Sequence, residues 1–117
     1  MINQSQWTDF LANFSRRNHA RRARFERFDR EGVQEEEQEA HLENLTLKFE
    51  GADAPQLIVT RRDQSTTEPQ TIVTTITNVK RLNTHFDTYH SEDGLEIEDE
   101  NGVLLLLRME SLVDGVS

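Results

Sequence analysis

The sequence predicts an α+β fold: an N-terminal amphipathic helix packed on a curled, mainly antiparallel sheet of about six or seven strands. Three observations predict it. Trp7, Phe10, Leu11 and Phe14 recur at the spacing of one helical face. After them come short, β-branched or alternating segments separated by turn residues. At the close, Leu95 and Ile97 alternate with Glu96 and Glu98 ahead of Asn101-Gly102 and the apolar run Val103 to Leu107.

A length of 117 residues suits one domain, 1–117, with a single core. The hydrophobic share is 34%, which is low, yet Leu, Ile, Val and Phe number 30, above the level at which a charged chain stays disordered. The expectation is a folded protein with a thin core. There is no cysteine, which removes disulfides, thiolate ligands and a cysteine nucleophile, and fits a reducing, cytoplasmic compartment. Met1 to Phe14 sets Gln, Asn and Thr ahead of its apolar residues, unlike a secretory leader. The run Val103 to Leu107 falls far short of the roughly 20 residues a membrane-crossing helix needs.

The helix is expected over about 6–17. Ser5 is its N-cap, Asp9 and Arg16 with Arg17 suit its dipole, and Asn18 is a left-handed terminator. Residues 20–41 hold few breakers, so helix and hairpin both remain open there. The hairpin is favoured: strands 22–28 and 33–39 about the turn Asp29 to Gly32 set Phe28 opposite Val33, Arg24 opposite Glu37 and Arg22 opposite Glu39, at the cost of Glu26 opposite Glu35.

Leu45, Leu47 and Phe49 alternate with polar residues and predict a strand at 44–50, closed by Gly51. A strand at 56–61 follows Pro55, and the polar segment Arg61 to Gln70 is expected to be an exposed loop. The β-branched run at 71–77 is the next strand. Val79 to Leu82 either extends it or begins a polar connection over Asn83 to Gly94. Strands 95–100 and 103–109 form the last hairpin. A three-residue turn would pair Ile97 with Leu105 and Leu95 with Leu107, whereas a two-residue turn would shift that register. Either way residues 103–107 are apolar on both faces and need cover on both, from the helix on one side and from a curled sheet or a second subunit on the other.

Three sets of residues resemble a bacterial family of small proteins known as a domain of unknown function. They are Trp7-x-x-Phe10-Leu11-x-x-Phe14-Ser15-x-x-Asn18, Gly32-x-Gln34-x-Glu36 after the arginine-rich strand, and Leu95-Glu96-Ile97 with Asn101-Gly102. The resemblance spans nearly the whole chain and implies a strand reading of Arg22 to Glu39. It implies no activity, cofactor, partner or site residue.

Net charge is −9 and unevenly spread: residues 15–30 hold seven arginines against two acids, residues 31–117 six bases against nineteen acids. The arginines between Arg16 and Arg27, chiefly Arg16, Arg17, Arg21, Arg22 and Arg24, have the chemistry to contact phosphates. The acidic remainder and the hairpin pairing oppose this, so nucleic acid is not the expected partner. His85, Asp87, His90 and Glu92 place four potential metal ligands within eight residues. On a regular strand the two histidines would face opposite sides, so the bland reading, solvated loop residues, is favoured and no metal or cofactor is expected. Asp99 to Gly102 has a glycine in the wrong place for a calcium loop and reads as a turn. Neither a nucleophile elbow nor a phosphate loop occurs, and the carboxylates lie in runs, so catalysis is disfavoured; a small metal-dependent enzyme or metal-binding domain using His85, Asp87, His90 and Glu92 is the runner-up, and nucleic-acid contact through the arginines the third reading. The apolar outer side of the last strand, Leu104 and Leu106, predicts a non-enzymatic, acidic interaction or regulatory module whose partner is a protein or a second copy. At about 25 cal/mol per Å2, burial of that face favours association.

Overall fold

A computed structural model describes residues 2–36, 39–64 and 67–110. It has one helix, α1 (Trp7–Arg17), on an antiparallel sheet of eight strands. The strands are β1 (Arg22–Asp29), β2 (Gly32–Glu35), β3 (Ala40–Lys48), β4 (Gln56–Asp63), β5 (Gln70–Ile76), β6 (Val79–Phe86), β7 (Glu92–Asp99) and β8 (Leu104–Met109). Their order is β5-β4-β3-β1-β8-β7-β6, with β2 paired to β1 off this path. Ile76 on one edge strand and Val79 and Leu82 on the other join the same buried cluster, so the sheet bends around a shared core. No described helix is long and apolar enough to cross a membrane.

Trp7, Leu11 and Phe14 turn the buried side of α1 toward the core, against β3. Ser5 does not cap it. A 3-10 turn, Gln4–Gln6, precedes the helix, and the Trp7 indole donates back to the Ile2 carbonyl at 3.2 Å, which draws Ser5 inside the extra turn. Nor is Asn18 left-handed: its φ is −113°, and Ala20, at 68°, makes the reversal. Asn18 instead ends the helix with its side chain, Nδ2 donating to the Phe14 carbonyl at 2.9 Å.

The first hairpin keeps the expected register near its turn, Phe28 opposite Val33 and Glu26 opposite Glu35, with Asp29 Oδ1 accepting from the Glu31 N–H at 2.9 Å. It does not run on to Glu39. The return strand stops at Glu35, and β3 takes over the edge of β1, setting His41 rather than Glu39 opposite Arg22 and Ala40 opposite Ala23. The expected partner of Arg24, Glu37, lies outside the described residues; Arg24 stands 3.7 Å from Glu35 and 3.8 Å from Glu26.

Where β3 and β2 divide the edge of β1, the gap is filled from β4, which continues to Asp63 through the start of the segment expected to be a loop. Arg61 is 1% exposed. Its Nη1 donates to the Ala23 carbonyl at 3.1 Å and to Glu36 Oε1 at 2.9 Å, and its Nη2 donates to Glu36 Oε2 at 3.1 Å. Glu36 Oε1 also accepts from the Phe25 N–H at 2.6 Å, and the guanidinium lies 4.8 Å over the Phe25 ring. Side chains here satisfy main-chain groups that a continuous ladder would have paired.

The polar stretch Asn83 to Gly94 is no simple connection, because its first residues belong to β6. Only Val79 and Leu82 of that strand are buried, and a bulge between Val79 and Arg81 spaces them by three, which erases the period of two that marks a strand in sequence. The last hairpin adopts the three-residue form. Ile97 pairs with Leu105 and Leu95 with Leu107, the Asp99 N–H donates to the Val103 carbonyl at 3.1 Å, and Gly102 takes φ 80°.

Candidate functional site

Three groups of residues had chemical or recognition potential in the sequence, and the fold treats each differently. The arginines are spread over two surfaces and matched with acceptors. Arg16 lies on the exposed side of α1 and donates to Asn13 Oδ1. Arg17 grips Glu92 through two bonds, Nη2 to Oε1 at 2.7 Å and Nε to Oε2 at 3.1 Å. Arg21 donates to Asn18 Oδ1 at 2.7 Å, to the Glu92 carbonyl at 3.0 Å and to the Glu110 carbonyl. Arg22 meets Glu110 at 2.8 Å, and Arg27 meets Asp29 at 3.1 Å. Of the predicted five, Arg17 and Arg21 therefore converge on one node with Asn18 and Glu92, joining the end of α1 to the start of β7 and the end of β8. Arg22 and Arg24 stand apart on the outer side of β1. A phosphate backbone would have to displace carboxylates already in place.

Charge in that node is tuned by the same contacts. Burial pushes the Glu92 carboxyl up, but hydrogen bonds from Arg17 and Asn18 outweigh it and hold the group below its ordinary 4.5. The bond from Arg22 likewise holds Glu110 low. A carboxylate whose folded value is depressed stabilises the fold above its ordinary value and loses that contribution as pH falls through the folded one. Stability should therefore decline on acidification below about pH 4.5, the ordinary glutamate value. Glu92→Gln, which keeps the shape without the titration, should show a shallower decline between neutral pH and about pH 3 in urea melts. Parallel curves for the two proteins would show that Glu92 does not carry this dependence.

The four residues His85, Asp87, His90 and Glu92 occupy a hairpin end, and each has a separate setting. His85 Nδ1 lies 2.5 Å from Asp93 Oδ1. Asp87 Oδ1 accepts from the N–H groups of Tyr89 and Ser91, at 2.8 and 2.9 Å, and so closes the turn. His90 is exposed at φ 62°, and Glu92 belongs to Arg17 and Asn18. Among the described residues no three histidine or carboxylate side chains come together in a group able to hold a metal ion. Asp93 was not legible as the partner of His85, because it becomes so only when β6 and β7 pair and set His85 opposite Gly94.

The leucines divide. Leu106, on the outer side of β8, is only 4% exposed, and its own chain covers it. Glu26 and Glu96 flank it in register, Arg108 reaches across to Glu26 at 3.1 Å, and Gly94 leaves room beneath it: a Cβ there would stand 3.0 Å from Leu106 Cδ1. Extended arginine and glutamate stems thus lie over an apolar residue, with the buried Glu26 carboxylate paired to the Arg108 guanidinium. Leu104 is half-buried and opposite Phe28, which is opposite Val33, itself 57% exposed. Between the two hairpin tips a groove of about 670 Å3 opens, lined by Phe28, Arg30, Glu31, Asn101, Val103 and Leu104. Phe28 and Val33 escaped the sequence reading because the pairing of β1 with β8 brings them beside Leu104. The register of the first hairpin, which was legible, had already put the two side by side.

This rim has an open border. All four residues of β2 are exposed, and among the described residues β1 is the only strand with which β2 pairs. Compared with family models, with curated proteins and with solved structures, the chain finds no match in any of the three.

Proposed function

We propose that the protein is a non-enzymatic interaction module that docks a protein segment on the outer rim formed by Phe28, Val33 and Leu104. The observation that carries the reading is the apolar groove between the two hairpin tips, continued by an exposed valine on a strand with one open edge. Apolar surface of this kind, bordered by Arg30, Glu31 and Asn101, has the anatomy of a recognition patch: an apolar centre and a polar border. The other candidate sets supply less. Arg17 and Arg22 are already matched to acids and Arg16 and Arg21 to amide or main-chain oxygens, and the histidine segment is folded into a capped turn.

Selection of displayed random peptides on the immobilised protein tests the reading. Peptides should enrich above the bare support, and their binding should fall about tenfold or more in Val33→Asp, as when an anchor of an interface is lost. Val33 is exposed, so this substitution leaves the core intact. No enrichment, or binding indifferent to Val33→Asp, overturns the proposal.

A further inference from the structure

We infer that the occupant of this rim is a basic, extended segment that adds to the open edge of β2 as a further antiparallel strand; the inference rests on the docking reading above. Strand addition needs main-chain groups without partners, and the register of β2 supplies them. The Glu36 N–H donates to the Phe25 carbonyl at 3.0 Å, so these two residues stand at a bonded position of the ladder, the Phe25 N–H going to the Glu36 carboxylate. Bonded and non-bonded pairs alternate along an antiparallel ladder. Arg27 with Gln34 and Asp29 with Gly32 are therefore bonded, while Glu26 with Glu35 and Phe28 with Val33 are not. Val33 and Glu35 accordingly aim their N–H and C=O groups away from β1, toward the open edge, and among the described residues no backbone group takes them up. An incoming strand pairs with these two residues, and one of its alternate side chains lies over Val33.

Charge decides what that strand carries. Beside Val33 the edge is acidic: Glu31 and Glu35, two residues to either side of it, are both exposed, and Arg24 approaches Glu35 only to 3.7 Å. A second copy of the chain is opposed by the same charges: antiparallel pairing of two β2 edges centred on Val33 sets Glu31 opposite Glu35 twice. Val33 and Glu35 lie on one face two residues apart, so a segment that carries an apolar or β-branched residue and, two residues from it, lysine or arginine meets both requirements, facing the glutamate and covering the valine. The guanidinium of Arg30 at the tip bounds the stretch that such a segment can follow.

The probes are three synthetic octapeptides: one carrying lysine and valine in turn at every second position with threonine between them, its glutamate counterpart, and the lysine peptide N-methylated along the edge that would pair. Binding is read by titration and by the amide signals of Val33 and Glu35 in isotope-labelled protein. The basic peptide should bind with shifts centred on those two amides, and should weaken about tenfold or more in Glu35→Lys and when salt is raised about tenfold. The glutamate and N-methylated peptides should bind at least about tenfold more weakly. Equal binding of the glutamate peptide overturns the charge argument, and equal binding of the N-methylated one overturns strand addition. If none of the three binds while selected peptides still bind in a Val33-dependent way, the docking reading stands and this inference falls. A dimeric mass in light scattering that Val33→Asp converts to monomer assigns the edge to a second copy and overturns the basic occupant.

Discussion

Trp7→Ala should lower the free energy of unfolding by about 3–5 kcal/mol, the range for truncating a fully packed large aromatic. Trp7 is 2% exposed and shares the core cluster with residues from both ends of the strand order. Its indole also anchors the leading turn to Ile2. An 11-residue helix has little stability of its own, since isolated helices below about 12–15 residues are marginal in water. Helix α1 thus persists because Trp7, Leu11 and Phe14 are buried, and removing the largest of them leaves a cavity on the side where the helix meets β3. Urea unfolding followed by far-ultraviolet dichroism measures the loss. A decrease below about 1 kcal/mol, in the range of ordinary surface changes, would mean that the helix is not what closes the core.

Arg61→Met should cost about 3 kcal/mol, toward the lower end for breaking a buried ion pair because Glu36 keeps 40% of its side chain in solvent. Methionine preserves much of the bulk while removing the donors to Ala23 and Glu36. Its reversal is informative. The double substitution Arg61→Met with Glu36→Met should be less damaging than the sum of the two single ones, since a charge no longer stands without its partner. It should not restore full stability, because the Phe25 N–H loses its acceptor, a deficit of about 1–3 kcal/mol. Additive losses in a urea cycle would sink the account of the pair as a unit.

The parts of the fold that were legible are those whose signals are local. One apolar face identified α1, and Asn101-Gly102 with alternating Leu95 and Ile97 gave the last hairpin, its observed register being one of the two left open by the turn. Gly32 as the turn residue, with Phe28 set opposite Val33, gave the first hairpin near its turn, but the pairing of Arg22 with Glu39 was not met because the far end was decided by β3, a competitor that no pattern inside the hairpin could announce. Strand β6 was hidden by its bulge. Arg61 stands in sequence where the expected strand 56–61 meets a polar loop, and composition there cannot tell a buried guanidinium from a solvated one; that depends on Glu36, which is distant along the chain and adjacent in space. The covering of Leu106 was equally out of reach, being made by Glu26, Arg108 and Gly94 from three different strands.

The seam between β3 and β1 ties interior to surface. Ladder pairing across it is confined to the start of β1, with the adjoining bonds between Ala20, Arg21 and Leu42, and the remainder is bridged by one guanidinium and one carboxylate. Glu36, the carboxylate of that bridge, directly follows β2 in the chain. The side chain that braces this seam is therefore also the mooring of the exposed strand. Selection for a tighter joint and selection for a differently poised edge act on the same side chain, so neither property can drift far without dragging the other.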